Sequence, residues 1–576
     1  MKKTSFILFI LFSTMFLLGS GIQKPLSVDD DLGFIYEINR NQNFGQSFTS
    51  LHTGLNGISI NLSTLRPTSN QIIVRLYENI SNRKLISEET HTILFEPDKY
   101  FHKLTLPLQK TSYLKDYFIE IEWQGDQTLF VQTAPAESYD QGAFYYDSNP
   151  QDAQLEFILH YDPFVKILGL VKQFIIWIWD LILTALVFVI PGWAILLFTW
   201  KSWSNYDVLI KIATSAAVSF AFYPILMLFT DIIGFHPGEI IYVWFPIITA
   251  SSYLIWRYRA TLNYILTHPK TQWDKLKTLL RSSFSWNEIA MIFIVLLVIL
   301  IRLWIIRTLQ VPLWGDSYQH SMITQLILDN QGLFESWLPY APYESLTVHF
   351  GFHVNSAIFA WISNSTANYA VIWVGQVVNV LAVIGLYPLA NRLTRKNDWI
   401  GIFVIFVAGL LLKLPVYYVN WGRYPQLIAL GLLPVAFFMI LETVFLSDME
   451  IKKIFTTSFV LAGMALCYYR SPLFMLIFLP IFITEIIKWQ KNTTKKPMWL
   501  WKALLILLLT AILLLPIIPR LNQGELIESV SYKQTSPLIN QFKTIISGWQ
   551  SVTNYYHWIF FILAALAVIF AIITKQ

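Results

Sequence analysis

The sequence runs to 576 residues, of which 55% are hydrophobic and 13% charged, with a formal net charge of +5. A soluble chain carries about 25% charged residues, so most of this one does not face water, and its scattered lysines and arginines form no basic patch of the kind nucleic acid requires. The single cysteine, Cys467, excludes an intrachain disulfide.

At the start, Lys2 and Lys3 precede an apolar stretch from Phe6 to Leu18, followed by Gly19, Ser20 and Gly21. This pattern predicts a signal peptide or signal anchor over residues 1–22, and the residues leave both open. Residues 25–162 read as an extracytoplasmic domain. Between Asn43 and Tyr161 the segments NGISINL, QIIVRLYE, HKLTLPL, DYFIEIEW and QLEFILHY alternate in hydropathy, with turn clusters between them. About eight strands in about 120 residues predict a β-sandwich of jelly-roll type. Tyr139, Phe144, Tyr145 and Tyr146 either offer stacking rings to a sugar or fill the core, and the core is the commoner use.

After Phe164 the chain turns apolar. Runs near 176–200, 207–229, 239–256, 288–308, 368–391, 398–414, 425–446, 454–469, 472–488, 499–518 and 552–573 predict a polytopic α-helical membrane protein of about eleven transmembrane helices. Residues 163–287 hold the first of these and a basic cytoplasmic loop; residues 288–576 hold the rest, with an outer-face loop over 309–367. An exported N-terminal domain makes alternate loops cytoplasmic, and those loops carry Arg257, Arg259, Lys270, Lys275, Lys277 and Arg281, then Arg392, Arg395 and Lys396, then Lys452 and Lys453, then Lys488, Lys491, Lys495, Lys496 and Lys502. The stretch from Gln310 to Ala367 has no lysine or arginine but holds Asp316, Asp329, Glu335 and Glu344. This asymmetry obeys the positive-inside rule and places a multi-pass protein in the cell membrane with that loop outside. Counting Leu346–Trp361 as a span would reverse Arg392, Arg395 and Lys396, so it is read as a helix on the outer membrane surface.

Within the outer loop, VPLWGDSYQHSMITQLILDNQG predicts an amphipathic surface helix with Met322, Ile323, Leu326 and Ile327 on its apolar face. Asp316 falls at its N-cap, His320 one turn on, and Gln319 where a capping-box partner belongs; capping and acid–base chemistry are both open to Asp316. The loop's freedom from lysine and arginine predicts a carboxylate outside any ion pair. His349 and His353, four residues apart, share a helix face that suits either an interfacial pair or a divalent metal, although nothing in the sequence requires a cofactor. Two further outer turns carry isolated arginines, Arg423 beside Tyr424 and Arg470 beside Tyr468 and Tyr469. Such arginines snorkel in an aromatic belt or grip a lipid phosphate.

The order of apolar span, outer GD start, amphipathic helix, Gln331-Gly332 turn, WLPYAPYES stretch and second helix, over about residues 288–475, resembles the C-type (GT-C) integral-membrane glycosyltransferases, nearest to family 39-like enzymes. This chain differs in having Ser317 after Asp316 and in separating Pro339 from Pro342. The resemblance implies transfer of a sugar, with inversion, from a polyprenyl-phosphate-linked donor to a glycan, lipid or protein acceptor outside the cell. It implies Asp316 as base, His320 orienting it or binding acceptor, Arg423 and Arg470 on the phosphate, and Tyr424, Glu335, His349 and His353 around the substrates. The other readings are a non-catalytic membrane-anchored protein that binds glycans or assembles the envelope, and a transporter. Transport would use ionisable residues within spans, for which Asp180 and Arg302 are the candidates.

Overall fold

The structure, a computed structural model, describes residues 34–96, 100–268, 285–342, 349–394, 397–445, 449–492 and 498–522 together with Trp558 and Ile562. The signal segment, Glu344, most of the expected last span and the basic residues Lys270, Lys275, Lys277, Arg281, Arg395, Lys396, Lys495 and Lys496 lie outside the described residues. The chain divides into two units, Met1–Ile178 and Trp179–Gln576.

The first unit holds twelve strands: β1 (Ile35–Ile38), β2 (Asn43–Ser50), β3 (Leu55–Thr64), β4 (Thr68–Tyr77), β5 (Leu85–Phe95), β6 (Phe101–Gln109), β7 (Lys115–Trp123), β8 (Leu129–Pro135), β9 (Phe144–Tyr146), β10 (Asn149–Gln151), β11 (Ala153–Leu155) and β12 (Phe157–Tyr161). They form two six-stranded sheets, one in the order β1-β8-β3-β12 with β6 on β3 and β11 on β8, the other β10-β9-β2-β7-β4-β5. Alternate residues point inward, as the period of two requires: Ile58, Ile60 and Leu62 from one sheet and Ile72, Val74, Leu76, Ile119, Ile121 and Trp123 from the other share one core. Inside it, Gln46 of β2 donates to Gln154 Oε1 at 2.7 Å and accepts from the Leu155 amide at 2.8 Å, so a satisfied polar pair ties the two sheets. Phe144 is in that core, Tyr139 and Tyr146 pack against it, and Tyr145 turns to the opposite face, where it meets Phe118 edge-on.

The helices in chain order are α1 (Pro163–Phe188), α2 (Ile190–Thr199), α3 (Val208–Ile232), α4 (Phe245–Thr267), α5 (Trp286–Ile306), α6 (Gly315–Asp329), α7 (Gly351–Ser363), α8 (Ala367–Ile384), α9 (Leu386–Leu393), α10 (Asp398–Phe406), α11 (Val416–Asn420), α12 (Tyr424–Val444), α13 (Ile451–Cys467), α14 (Ser471–Phe474), α15 (Leu479–Asn492), α16 (Trp499–Leu514) and α17 (Ile518–Asn522). Singly or end to end they give nine helices among the described residues long and apolar enough to cross a membrane. Of the eleven expected, one lies outside the described residues. The other is α13, whose 17 residues span only about 25 Å of a roughly 30 Å hydrocarbon core.

The two ionisable residues expected inside spans are both tied down. Asp180 accepts from the Tyr369 hydroxyl at 2.6 Å. Arg302, 2% exposed, donates from Nε to Asn379 Oδ1 and from Nη2 to the Gly409 carbonyl, each at 2.9 Å, and pairs with no carboxylate among the described residues. Asn379 in turn donates to the Pro415 carbonyl at 3.1 Å, and Gly409 lies in a π-helical turn, Val407–Leu411.

Over its described part, from His349 on, the structure corrects the reading of Leu346–Trp361 as a surface helix. Every residue from Gly351 to Ala360 is buried, and α7 packs against α3, α6, α8, α12 and α13. Its Asn355 donates to the Phe220 carbonyl of α3 at 3.1 Å, and Phe359 stacks on Trp373 of α8. The reason is in its composition: Phe352, Val354, Ala357, Ile358 and Phe359 are apolar on all sides, and a helix without a polar face belongs in the interior. By contrast, α6 is amphipathic as expected, with Ile323, Leu326 and Ile327 buried.

Candidate functional site

Three segments far apart in sequence meet at one place: the first turns of α6, the start of α7 and the turn before α12. Asp316 is not the N-cap of α6. The cap is Trp314, whose φ of 75° and ψ of 152° start the helix one residue earlier, and no side chain caps it, so the expected Asp316–Gln319 capping box does not form. Asp316 is instead the second helical residue, where a carboxylate is favoured by the helix dipole.

The expectation of an unpaired carboxylate is also corrected. Arg423 places Nη1 3.0 Å from Asp316 Oδ2, and the two side chains remain 56% and 42% exposed. The Gln310–Ala367 stretch has no lysine or arginine of its own, and a distant turn supplies one. Gly422 makes this approach possible: its φ of +63° is costly for other residues, and a Cβ there would fall 2.5 Å from Ser317 Oγ and 3.4 Å from Asp316 Cβ. Glycine therefore brings the NWGRYP turn onto the first turn of α6. That role was legible only as an isolated glycine before an arginine.

Behind the ion pair lie two imidazoles. His320 Nδ1 and His353 Nε2 are 2.8 Å apart, and His320 Nε2 is 2.7 Å from the Gly422 carbonyl oxygen. His320 therefore binds a histidine and a carbonyl rather than orienting Asp316. His353 is fully buried and its Nδ1 has no hydrogen-bond partner. Burial pushes His320 down to about 4, an effect the Gly422 carbonyl opposes. Burial likewise sets His353 well below its ordinary range, helped by the neighbouring His320 and His349. Tyr424, 1% exposed, stacks on Phe352 with ring centroids 5.0 Å apart and meets the His320 ring edge-on at 5.6 Å, so it forms a wall of the site.

His349 precedes α7 rather than sharing a helical face with His353. Its ring lies against Tyr468 and Tyr469, and burial followed by the charge of Arg470 pushes it down to about 4. Arg470 Nε donates to the Tyr469 hydroxyl at 2.9 Å. His349 and Arg470 thus form a second group beside the first, linked through the electrostatic effect of His349 on both His320 and His353. Glu335 is exposed and bonds to no described residue. Among the described residues no three His, Cys, Asp or Glu side chains converge as a metal site.

No protein-family model matches this chain, and no curated protein matches it. What stands is the class: a helical chain with nine helices among the described residues long and apolar enough to cross a membrane, preceded by a β-sheet domain.

Proposed function

We propose that the chain is a membrane glycosyltransferase that moves a sugar from a polyprenyl-phosphate-linked donor to an acceptor on the extracytoplasmic face of the cell membrane. The observation that carries this reading is the half-exposed Asp316–Arg423 pair, a carboxylate and a guanidinium open to solvent beside the part-buried His320 and the buried His353. A planar guanidinium accepts two phosphate oxygens side by side. When a donor phosphate takes Arg423, the guanidinium leaves Asp316, and the freed carboxylate accepts the proton of an acceptor hydroxyl. The acceptor oxygen bonds to the anomeric carbon from the face opposite the phosphate. The carbon–oxygen bond to phosphate breaks, its electron pair leaving with polyprenyl phosphate, whose charge Arg423 stabilises. The ion pair thus holds the base at rest until donor arrives.

The test is to incubate purified full-length protein with a panel of polyprenyl-phosphate sugars and acceptor glycans and to measure released polyprenyl phosphate. Asp316→Asn keeps a polar first-turn residue and loses only a part-exposed ion pair worth up to about 1 kcal/mol. Its turnover is expected to fall roughly 10²-fold or more. Arg423→Lys keeps charge without the fork and is expected to weaken donor binding more than turnover. Failure of every donor to release product, or full turnover by folded Asp316→Asn, rejects the proposal.

A further inference from the structure

The two imidazoles behind the ion pair have a polarity that geometry decides. A carbonyl oxygen only accepts, so His320 Nε2, 2.7 Å from the Gly422 oxygen, carries a hydrogen. A neutral His320 is then bare at Nδ1 and must accept there. Its partner at 2.8 Å is His353 Nε2, which must therefore donate. A neutral His353 is in turn bare at Nδ1, the atom that is buried without a partner. The Phe350 carbonyl lies toward that atom and would favour a hydrogen there, so the tautomer is decided at the other end of the chain, by the Gly422 oxygen and the burial of His320.

We infer that His320 and His353 are positioning residues, both Nε2–H tautomers, whose directed chain from His353 through His320 to the Gly422 carbonyl fixes the turn from which Arg423 reaches Asp316. His353 is anchored within α7, itself buried among five helices, so the chain adds a hydrogen-bonded tie from the bundle to the turn, beside the packing of Gly422 on Ser317 and of Tyr424 on Phe352. Gly422 lies against the first turn of α6 on one side and accepts from His320 of the same helix on the other. Arg423, the next residue, inherits that placement. The inference concerns how the ion pair is aimed and does not depend on which reaction it serves.

The competing arrangement puts the His353 hydrogen on Nδ1, toward the Phe350 carbonyl one turn back. His320 would then have to donate from both nitrogens and carry a charge. Burial opposes that charge first, and His349 and Arg423 oppose it further; Asp316 is the acid that favours it, against the competing pull of its own ion pair with Arg423. The wall residue Tyr424 presents its ring to His320 rather than a charge.

The experiment is long-range proton–nitrogen correlation of the full-length protein, labelled with nitrogen-15 histidine in nanodiscs at neutral pH. Signals are assigned by their loss in His320→Gln and His353→Gln. Both rings are expected to show a protonated Nε2 and a bare Nδ1. In parallel, arginine modification by phenylglyoxal is followed at Arg423 by mass spectrometry. Wild type and His353→Gln, which keeps a side-chain donor, should react slowly, while His353→Leu and the control Asp316→Asn should react several-fold faster. A His353 protonated at Nδ1, or a His320 protonated on both nitrogens, overturns the tautomer assignment. Slow labelling in folded His353→Leu alongside fast labelling in Asp316→Asn overturns the positioning role.

Discussion

Acidification should weaken this fold through its histidines before its carboxylates titrate. His320 and His349 are held near 4 in the folded protein against an ordinary value of 6.5, and His353 lies well below that value too. The unfolded chain therefore binds more protons than the folded one between these limits, so stability rises with pH in that range. Their contribution is complete above about pH 6.5 and is lost as pH falls toward 4. For a group shifted from 6.5 to about 4, the loss between pH 7 and pH 5 is about 2 kcal/mol, so His320 and His349 together remove on the order of 4 kcal/mol and His353 adds to it. Thermal unfolding in detergent, followed at half-unit steps from pH 7 to pH 5, should show the midpoint falling by on the order of 5 °C. The His320→Gln, His349→Gln double variant should flatten most of that slope. A wild-type midpoint that stays level across the range, or a double variant with an unchanged slope, would show that these rings are not buried in neutral form.

Two further outcomes follow from particular contacts. Gly351→Ala would place a methyl 2.6 Å from Cys467 Sγ and within 2.9 Å of that residue's backbone nitrogen, so a loss of about 1–3 kcal/mol is expected, with incomplete rescue by Cys467→Ala because the backbone remains; a thermal midpoint equal to wild type would contradict the close approach of α7 and α13. For orientation, a cysteine at exposed Ser336 should react with a membrane-impermeant thiol reagent in intact cells while one at Thr271 should not, buried Cys467 giving little background. Equal labelling of the two would sink the proposed topology.

The β-domain was readable because its signal is local. Of the five alternating segments named from sequence, four lie along β3, β4, β6 and β7 and the fifth, QLEFILHY, runs across β11 and β12, while β1, β9 and β10, three or four residues long, carry too few alternations to register. The amphipathic helix α6 was legible for the same reason. Its neighbour α7 was not, since an apolar run of 13 helical residues interrupted by His353, Asn355, Ser356 and Ser363 reads equally as interfacial or interior until the spread of its apolar side chains around the helix is weighed. Asp316, His320, His353 and Arg423 were each named from sequence, but not their grouping. That grouping rests on contacts 33 to 107 residues apart and on the left-handed backbone of Gly422, neither of which leaves a periodic trace. The N-cap assignment failed on a single torsion, the positive φ of Trp314.

The arginine set into the wall of α5 constrains how this sequence can change over time. Arg302 is satisfied by one amide side chain and one main-chain carbonyl, so its charge is solvated by neutral dipoles from two other elements. Replacing Asn379 alone strands a buried guanidinium, and replacing Arg302 alone strands a buried amide oxygen; either single step costs about 3–5 kcal/mol or about 1–3 kcal/mol respectively. Exchanging both for apolar residues of similar volume strands no charge and costs less than losing Asn379 alone, although the Gly409 and Pro415 carbonyls lose their side-chain donors. Two positions 77 residues apart are therefore bound into one unit of inheritance, viable together or absent together, and α5, α8 and the turn carrying Gly409 keep their mutual spacing for as long as that unit persists.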